Sequence, residues 1–254
     1  MDWISLTADW CQHRSAVHVF RSPAPEGLDE DRLLGRLPDY ERQRAARLKF
    51  AGPRRQYLVA RYVLRQLLGA WCHADPWSLS FTIGPHGKPR LERPGAPEFN
   101  LSHSGDWVAI ALSADRPVGI DVETIDQKVS RDRLAERYFS LAEQSELASL
   151  PDSERWAAFY RGWTCKEAWI KATGRGMGFA VERLTVRLDP ALPARLCAVE
   201  DDAEAAAQWR LMATAAAPGA PVAVCASGLV EEWRCWDAAC LLPADALRDS
   251  AATA

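Results

Sequence analysis

No apolar run in this chain approaches the ~20 residues needed to cross a bilayer. The first residues, Met1-Asp2-Trp3-Ile4, lack the basic stretch and apolar segment of an export signal. A cytoplasmic protein without a membrane partner is therefore expected. The seven cysteines (Cys11, Cys72, Cys165, Cys197, Cys225, Cys235, Cys240) include no Cys-x-x-Cys pair. An odd and sparse set is not the framework of a small secreted domain, so they read as reduced core residues. None of the five histidines pairs at the His-x3-His spacing of a zinc helix, which removes that metal site. Disorder and collagen-like structure are excluded as well, because 48% of the 254 residues are hydrophobic and 26% charged, the balance of a globular protein with a real core.

Charge is unevenly spread. The formal net charge is -3, yet residues 41–65 hold eight basic side chains against Glu41 alone. Such a patch suits an anionic ligand, while an isoelectric point near 6.0 argues against a nucleic acid partner.

The pattern of elements is α+β. Residues 16–20 have strand character, ended by Ser22-Pro23-Ala24-Pro25, and a helical stretch begins near Leu28. From Glu41 to Trp71 the text is helical apart from a break at Gly52-Pro53. Tyr57, Ala60, Leu64, Leu67 and Leu68 form an apolar stripe there, and Arg54, Arg61 and Arg65 lie off it. Short strands are expected at 79–83, 106–113 and 117–123, separated by turns such as Gly84-Pro85-His86-Gly87. Helices follow over 131–150 and 153–172, the second ended by Gly174. Strands return at 184–188, 209–213 and 222–227, around an Ala-rich stretch at 203–207. Both halves contain a strand-rich part and a long helix, so a break near 114–117 divides the chain into comparable units, 1–115 and 116–254.

Three constellations carry chemistry. In Val118-Gly119-Ile120-Asp121-Val122-Glu123, alternation puts both carboxylates on one face, about 6.6 Å apart at Cα, within reach of one hard cation, with Gly119 leaving room beside them. In Trp163-Thr164-Cys165-Lys166-Glu167-Ala168-Trp169-Ile170-Lys171, Glu167 and Lys171 stand at i and i+4 and project from one helical face. Each alone is ordinary; three carboxylates with a lysine fit metal-assisted phosphate chemistry better. Phe99-Asn100-Leu101-Ser102-His103-Ser104-Gly105 reads as a polar turn entering a strand. Preceded by Gly87-Lys88-Pro89, it offers hydroxyls, imidazole and ammonium to phosphate groups.

Taken in order, G-K-P, N-L-S-H-S, V-G-I-D-V-E and W-T-C-K-E-A-W-I-K resemble the motifs of the Sfp-type 4'-phosphopantetheinyl transferases. The likeness runs from Glu41 to Ala226. The small trimeric holo-acyl-carrier-protein synthases share the D-x-E and K-E logic but have much shorter subunits, so the two-lobed monomeric branch matches better. The resemblance implies two pseudo-symmetric α/β lobes with the active site between them: residues 1–115 binding the coenzyme A nucleotide, and 116–254 carrying the Mg²⁺ site and catalytic helix. It implies Mg²⁺, with Mn²⁺ as an alternative cation, and transfer of the phosphopantetheine arm of coenzyme A to a serine of an apo acyl, peptidyl or aryl carrier protein, releasing 3',5'-ADP. By motif, Asp121, Glu123 and Glu167 would hold the metal. Glu167 would accept the serine proton, directly or through water. Lys171 would meet the α-phosphate, and Lys166 would assist or instead hold the carrier or the lobes. Ser102, His103 and Lys88 would contact nucleotide phosphates, with Arg44 at a coenzyme-binding basic position. Glu41 stands where some members carry a basic residue, and Arg61 and Arg55 would compensate.

Overall fold

In the computed structural model, residues 2–84, 87–176, 178–200 and 202–246 are described. Pro85 and His86 of the expected turn lie outside them. The chain runs through β1 (Ile4–Ser5), β2 (Val17–Pro23), α1 (Glu30–Leu34), α2 (Asp39–Ala46), α3 (Ala51–Cys72), β3 (Phe81–Ile83), β4 (Pro89–Leu91), β5 (Glu98–Ser104), β6 (Trp107–Ser113) and β7 (Val118–Val122). It continues through α4 (Arg131–Tyr138), α5 (Leu141–Ser149), α6 (Asp152–Thr173), β8 (Leu184–Val186), β9 (Leu196–Val199), α7 (Ala203–Ala207), β10 (Trp209–Ala217), β11 (Ala220–Ser227) and β12 (Trp233–Asp237). None of the described helices is long and apolar enough to cross a membrane.

Two sheets pack face to face between two long helices. The first has the order β1-β12-β2-β6-β5 and the second β10-β11-β7. Strand alternation explains the layering. In β7, Val118, Ile120 and Val122 turn inward to meet Val17, Val19, Ala109 and Ala111 of the first sheet, a wholly apolar seam. Phe20, Ile110 and Leu112 point the other way, onto Leu58, Val63, Leu64 and Leu67 of α3. On the far side, Ala223 and Cys225 of β11 meet Ala168, Trp169 and Ala172 of α6. Both outer helices span 22 residues, so each half contributes a sheet and a long helix.

Local chemistry sets the ends of these elements. Gly52-Pro53 lies in the first turn of α3, where the missing proline N–H has no intrahelical partner to lose. α6 ends at Gly174 in the left-handed conformation (φ 66°). The expected helix over 131–150 is two helices, divided at Phe139-Ser140. Ser140 and Glu143 form a capping box that starts α5.

One strand crosses the expected division at 115/116. β12, from the C-terminal end, pairs in parallel with β2 inside the first sheet, and Trp236, Ala238 and Leu242 join the core under α3. The two halves are thus laced together by their own chain end.

Candidate active site

The site lies where the edges of the two sheets meet. β5 is the outer strand of the first sheet and β7 of the second, and they are joined by side chains. Asn100 Oδ1 accepts from the Ile120 N–H at 2.9 Å, Ser102 Oγ donates to Asp121 Oδ1 at 2.9 Å, and Ser104 Oγ donates to Glu123 Oε2 at 3.0 Å. These three residues alternate along β5 and share one face. The segment read as a polar turn is therefore a strand. Asn100, Ser102 and Ser104 are the stitching between sheets, His103 faces the other way into the cleft, and only Gly105-Asp106 turns the β5–β6 hairpin.

Across the second sheet, α6 lies flush on β7. A Cβ built on Gly119 would stand 2.1 Å from the Ala168 carbonyl oxygen and 2.3 Å from the Ala172 nitrogen. The space that Gly119 leaves is taken by the helix, not by an ion. This close approach delivers Lys171, whose Nζ donates to Asp121 Oδ1 at 2.6 Å and to Ser102 Oγ at 3.0 Å. One ammonium thus ties α6 to both edge strands.

The carboxylates are out of balance. Asp121 is buried, and its Oδ2 has no hydrogen-bond partner among the described residues. Burial raises its pKa, against the pull of Lys171 and Ser102. Glu123 is raised by burial and by the Asp121 charge, with Ser104 and Trp163 pulling the other way. Glu167, half-buried, is raised by burial and then by Asp121. Among the described residues Lys171 is the lysine that faces these three carboxylates, which desolvation drives toward the neutral form. Among the described residues no three His, Cys, Asp or Glu side chains converge as a ready metal cage. The donor set still fits Mg²⁺, which takes only one or two carboxylates and completes its shell with water and phosphate oxygens. The unpartnered Asp121 Oδ2 is the oxygen such a cation would satisfy.

From this corner opens a cleft of about 1090 Å³, with Glu167 and Lys171 on one wall, Arg44, Arg47 and Arg61 from α2 and α3 on the other, and Lys88 and His103 between them. Arg44 and Arg47 are exposed and make no ion pair among the described residues. Lys88 Nζ donates to the Val118 carbonyl at 2.9 Å and lies 3.8 Å from Glu98; burial lowers its pKa. His103 opens to the cleft, yet the surrounding walls and the Lys171 charge hold its imidazole below the usual range.

Two expected residues stand elsewhere. Lys166 is fully buried and pairs with Glu143 Oε2 at 2.5 Å, also donating to the Tyr138 and Val181 carbonyls. It lies one residue and about 100° round the helix from Glu167, so it ties α6 to α5 and is not in the cleft. Arg55 likewise points away from the face carrying Tyr57 and Arg61. Its Nε donates to the Ala24 carbonyl at 2.7 Å and its Nη2 to Asp106 at 2.9 Å. Glu41, read as a departure, is fully buried and receives Arg61 and Arg65; the pair off the apolar stripe is not a solvated face. The cleft also recruits Arg47 and Gln43, which sequence reasoning did not single out. Their signal was the i, i+3, i+4 and i+7 spacing of Tyr40, Gln43, Arg44 and Arg47 along α2 and its C-cap.

Residues 117–225 match the model of the 4'-phosphopantetheinyl transferase superfamily, and residues 24–115 that of the 4'-phosphopantetheinyl transferase N-terminal region. The chain is 34% identical over 225 residues to 4'-phosphopantetheinyl transferase HetI of Nostoc sp., spanning 87% of this chain and 91% of that protein. It is 36% identical over 148 residues to 4'-phosphopantetheinyl transferase psf-1 of Bacillus pumilus, covering 58% of this chain and 62% of that one. Against 4'-phosphopantetheinyl transferase Sfp of Bacillus subtilis it is 28% identical over 160 residues, covering 63% and 70%.

Proposed function

The chain belongs to the 4'-phosphopantetheinyl transferase superfamily and is a transferase, and from that premise we propose that its cleft binds coenzyme A and passes the phosphopantetheine arm to a serine hydroxyl of an apo acyl, peptidyl or aryl carrier protein, releasing 3',5'-ADP. One observation carries this reading: the Lys171 ammonium meets a buried carboxylate with an unpartnered oxygen at the end of a cleft walled by arginines.

The reaction forms a serine O–P bond and breaks the P–O bond to the nucleotide. Both partners resist, because the pyrophosphate is anionic and negative charge builds on the departing oxygen. Lys171 would meet that charge, and a fixed cation in a partly desolvated corner acts more strongly than one in water. Glu167 takes the serine proton, directly or through water; a carboxyl raised above its ordinary value is a stronger base than a free one. Asp121, Glu123 and Glu167 would hold Mg²⁺, with Mn²⁺ as an alternative, and the ion when bound supplies Lewis-acid neutralisation of the phosphate oxygens. Ser102 fixes Asp121 and Lys171 against each other. Arg44, Lys88 and His103 bind the outer phosphates of the coenzyme, and Arg61 adds a fourth contact. By the same reading the protein works as a monomer in the cytoplasm, with no nucleic acid partner.

Chromatographic measurement of 3',5'-ADP from coenzyme A and Mg²⁺, with and without an apo carrier, tests the proposal. Release that requires the carrier supports it. Equal release without carrier makes the protein a hydrolase, and no release with any carrier refutes transfer.

A further inference from the structure

Glu41 is an unexpected group to find beside an anion-binding cleft. It projects from α2 toward α3 and is fully buried, its two oxygens divided between two arginines. Oε1 accepts from Arg61 Nε, and Oε2 accepts from Arg65 Nε at 2.7 Å. The two arginines stand four residues apart, and so on one face of α3, but their fates differ. Arg65 is fully buried, its Nη1 donating to the Pro76 and Leu79 carbonyls at 2.8 and 3.1 Å and its Nη2 to the Tyr40 hydroxyl. Its donors are committed inside the protein. Arg61 is largely buried but lines the cleft, its guanidinium 4.4 Å from the centre of the Phe81 ring, and its Nη1 has no protein partner among the described residues.

We propose that Glu41 is a positioning residue for coenzyme binding: anchored by Arg65, it holds the Arg61 guanidinium by one edge so that Nη1 is presented to a phosphate in the cleft. The inference rests on the proposed function and deepens it. It makes a prediction opposite in sign to simple electrostatics. A carboxylate near an anion repels it, so removing the charge by Glu41→Gln should tighten binding if charge alone mattered. If Glu41 orients Arg61, the same change frees a long side chain, and coenzyme binding weakens despite the added net positive charge.

The test is steady-state transfer with the full chain, coenzyme A, Mg²⁺ and an apo carrier, together with calorimetric titration of coenzyme A. Glu41→Gln is expected to raise the KM and Kd for coenzyme A about tenfold, the scale of one charge-assisted hydrogen bond, with kcat and the carrier KM within about twofold. Arg61→Met should raise the coenzyme KM by a similar factor while leaving Glu41 paired with Arg65. In the Arg61→Met background, Glu41→Gln should add nothing, because the residue it positions is gone. A merely structural Glu41 would lower the melting temperature in both backgrounds and leave this split unmoved. Should Glu41→Gln fail to fold, Glu41→Asp carries the test, since it keeps the charge but draws the carboxylate back. Its coenzyme KM should rise in the wild-type background and not with Arg61→Met. Tighter binding in Glu41→Gln, or the same KM rise in both backgrounds, overturns the positioning role while leaving transfer intact. A wild-type protein that neither binds coenzyme A nor transfers its arm overturns both.

Discussion

Gly119→Ala probes how the site is held together. The new Cβ would meet the Ala168 carbonyl oxygen at 2.1 Å, the Ala172 nitrogen at 2.3 Å and the Ala172 Cα at 2.9 Å, all backbone atoms of α6. No rotamer change relieves a clash with backbone, so the helix itself must retreat from β7 by more than about 1 Å to restore ordinary contact. Overpacking of this kind costs about 1–3 kcal/mol. The catalytic cost is larger, because Glu167 and Lys171 ride on the displaced segment, and a misplacement near 1 Å can lower a rate about a hundredfold. Urea unfolding followed by tryptophan fluorescence reads the first quantity, and kcat for carrier modification reads the second. A variant with a wild-type unfolding midpoint and a wild-type rate would refute the claim that this contact sets the distance from Lys171 to Asp121.

Other consequences follow from the same coordinates. Lys166→Met leaves Glu143 buried without its cation and should destabilise the protein by about 3–5 kcal/mol, while the folded fraction keeps a near-normal kcat; a large loss of kcat at full folding would return Lys166 to the chemistry. His18 is buried, with Nε2 against the His13 carbonyl at 2.9 Å and Nδ1 accepting from Trp236 Nε1 at 3.0 Å, which fits only the neutral ring. Burial depresses its pKa from 6.5 to about 4. The unfolded state therefore binds the extra proton first, and stability is full above pH 6.5 and falls by about 3 kcal/mol on going to pH 4. Unfolding free energies across that window should lose this slope in His18→Phe, and an unchanged slope would contradict the assignment. His103→Ala should weaken coenzyme A binding in calorimetry, and weaken it less for a dephospho-coenzyme lacking the 3'-phosphate. Equal losses for the two ligands would remove His103 from that phosphate.

Much of the site was legible because its chemistry is written in local periodicity. The alternation in Val118-Gly119-Ile120-Asp121-Val122-Glu123 gave the two faces of β7 correctly, and the i, i+4 spacing of Glu167 and Lys171 put both on the cleft wall. What escaped depends on distant parts of the chain. Ser102 and Ser104 look like turn residues until β7 is placed beside them. β12 pairs in parallel with a strand more than 200 residues earlier, so its local text gives no sign of its neighbour. Glu41 among eight nearby cations reads as surface until Arg61 and Arg65 are seen to close over it. Ser140-x-x-Glu143 is different, since a capping box has a sequence signature that would have divided the helical stretch at 139–140.

Intact-mass spectrometry of apo carrier proteins from fatty-acid, polyketide and peptide synthesis, each incubated with the protein, coenzyme A and Mg²⁺, tests the central claim most directly. At least one carrier should gain a single phosphopantetheine arm with the wild-type chain and none with Asp121→Ala. A panel without any gain, or an equal gain with Asp121→Ala, would contradict the assignment of this corner as the transferase site.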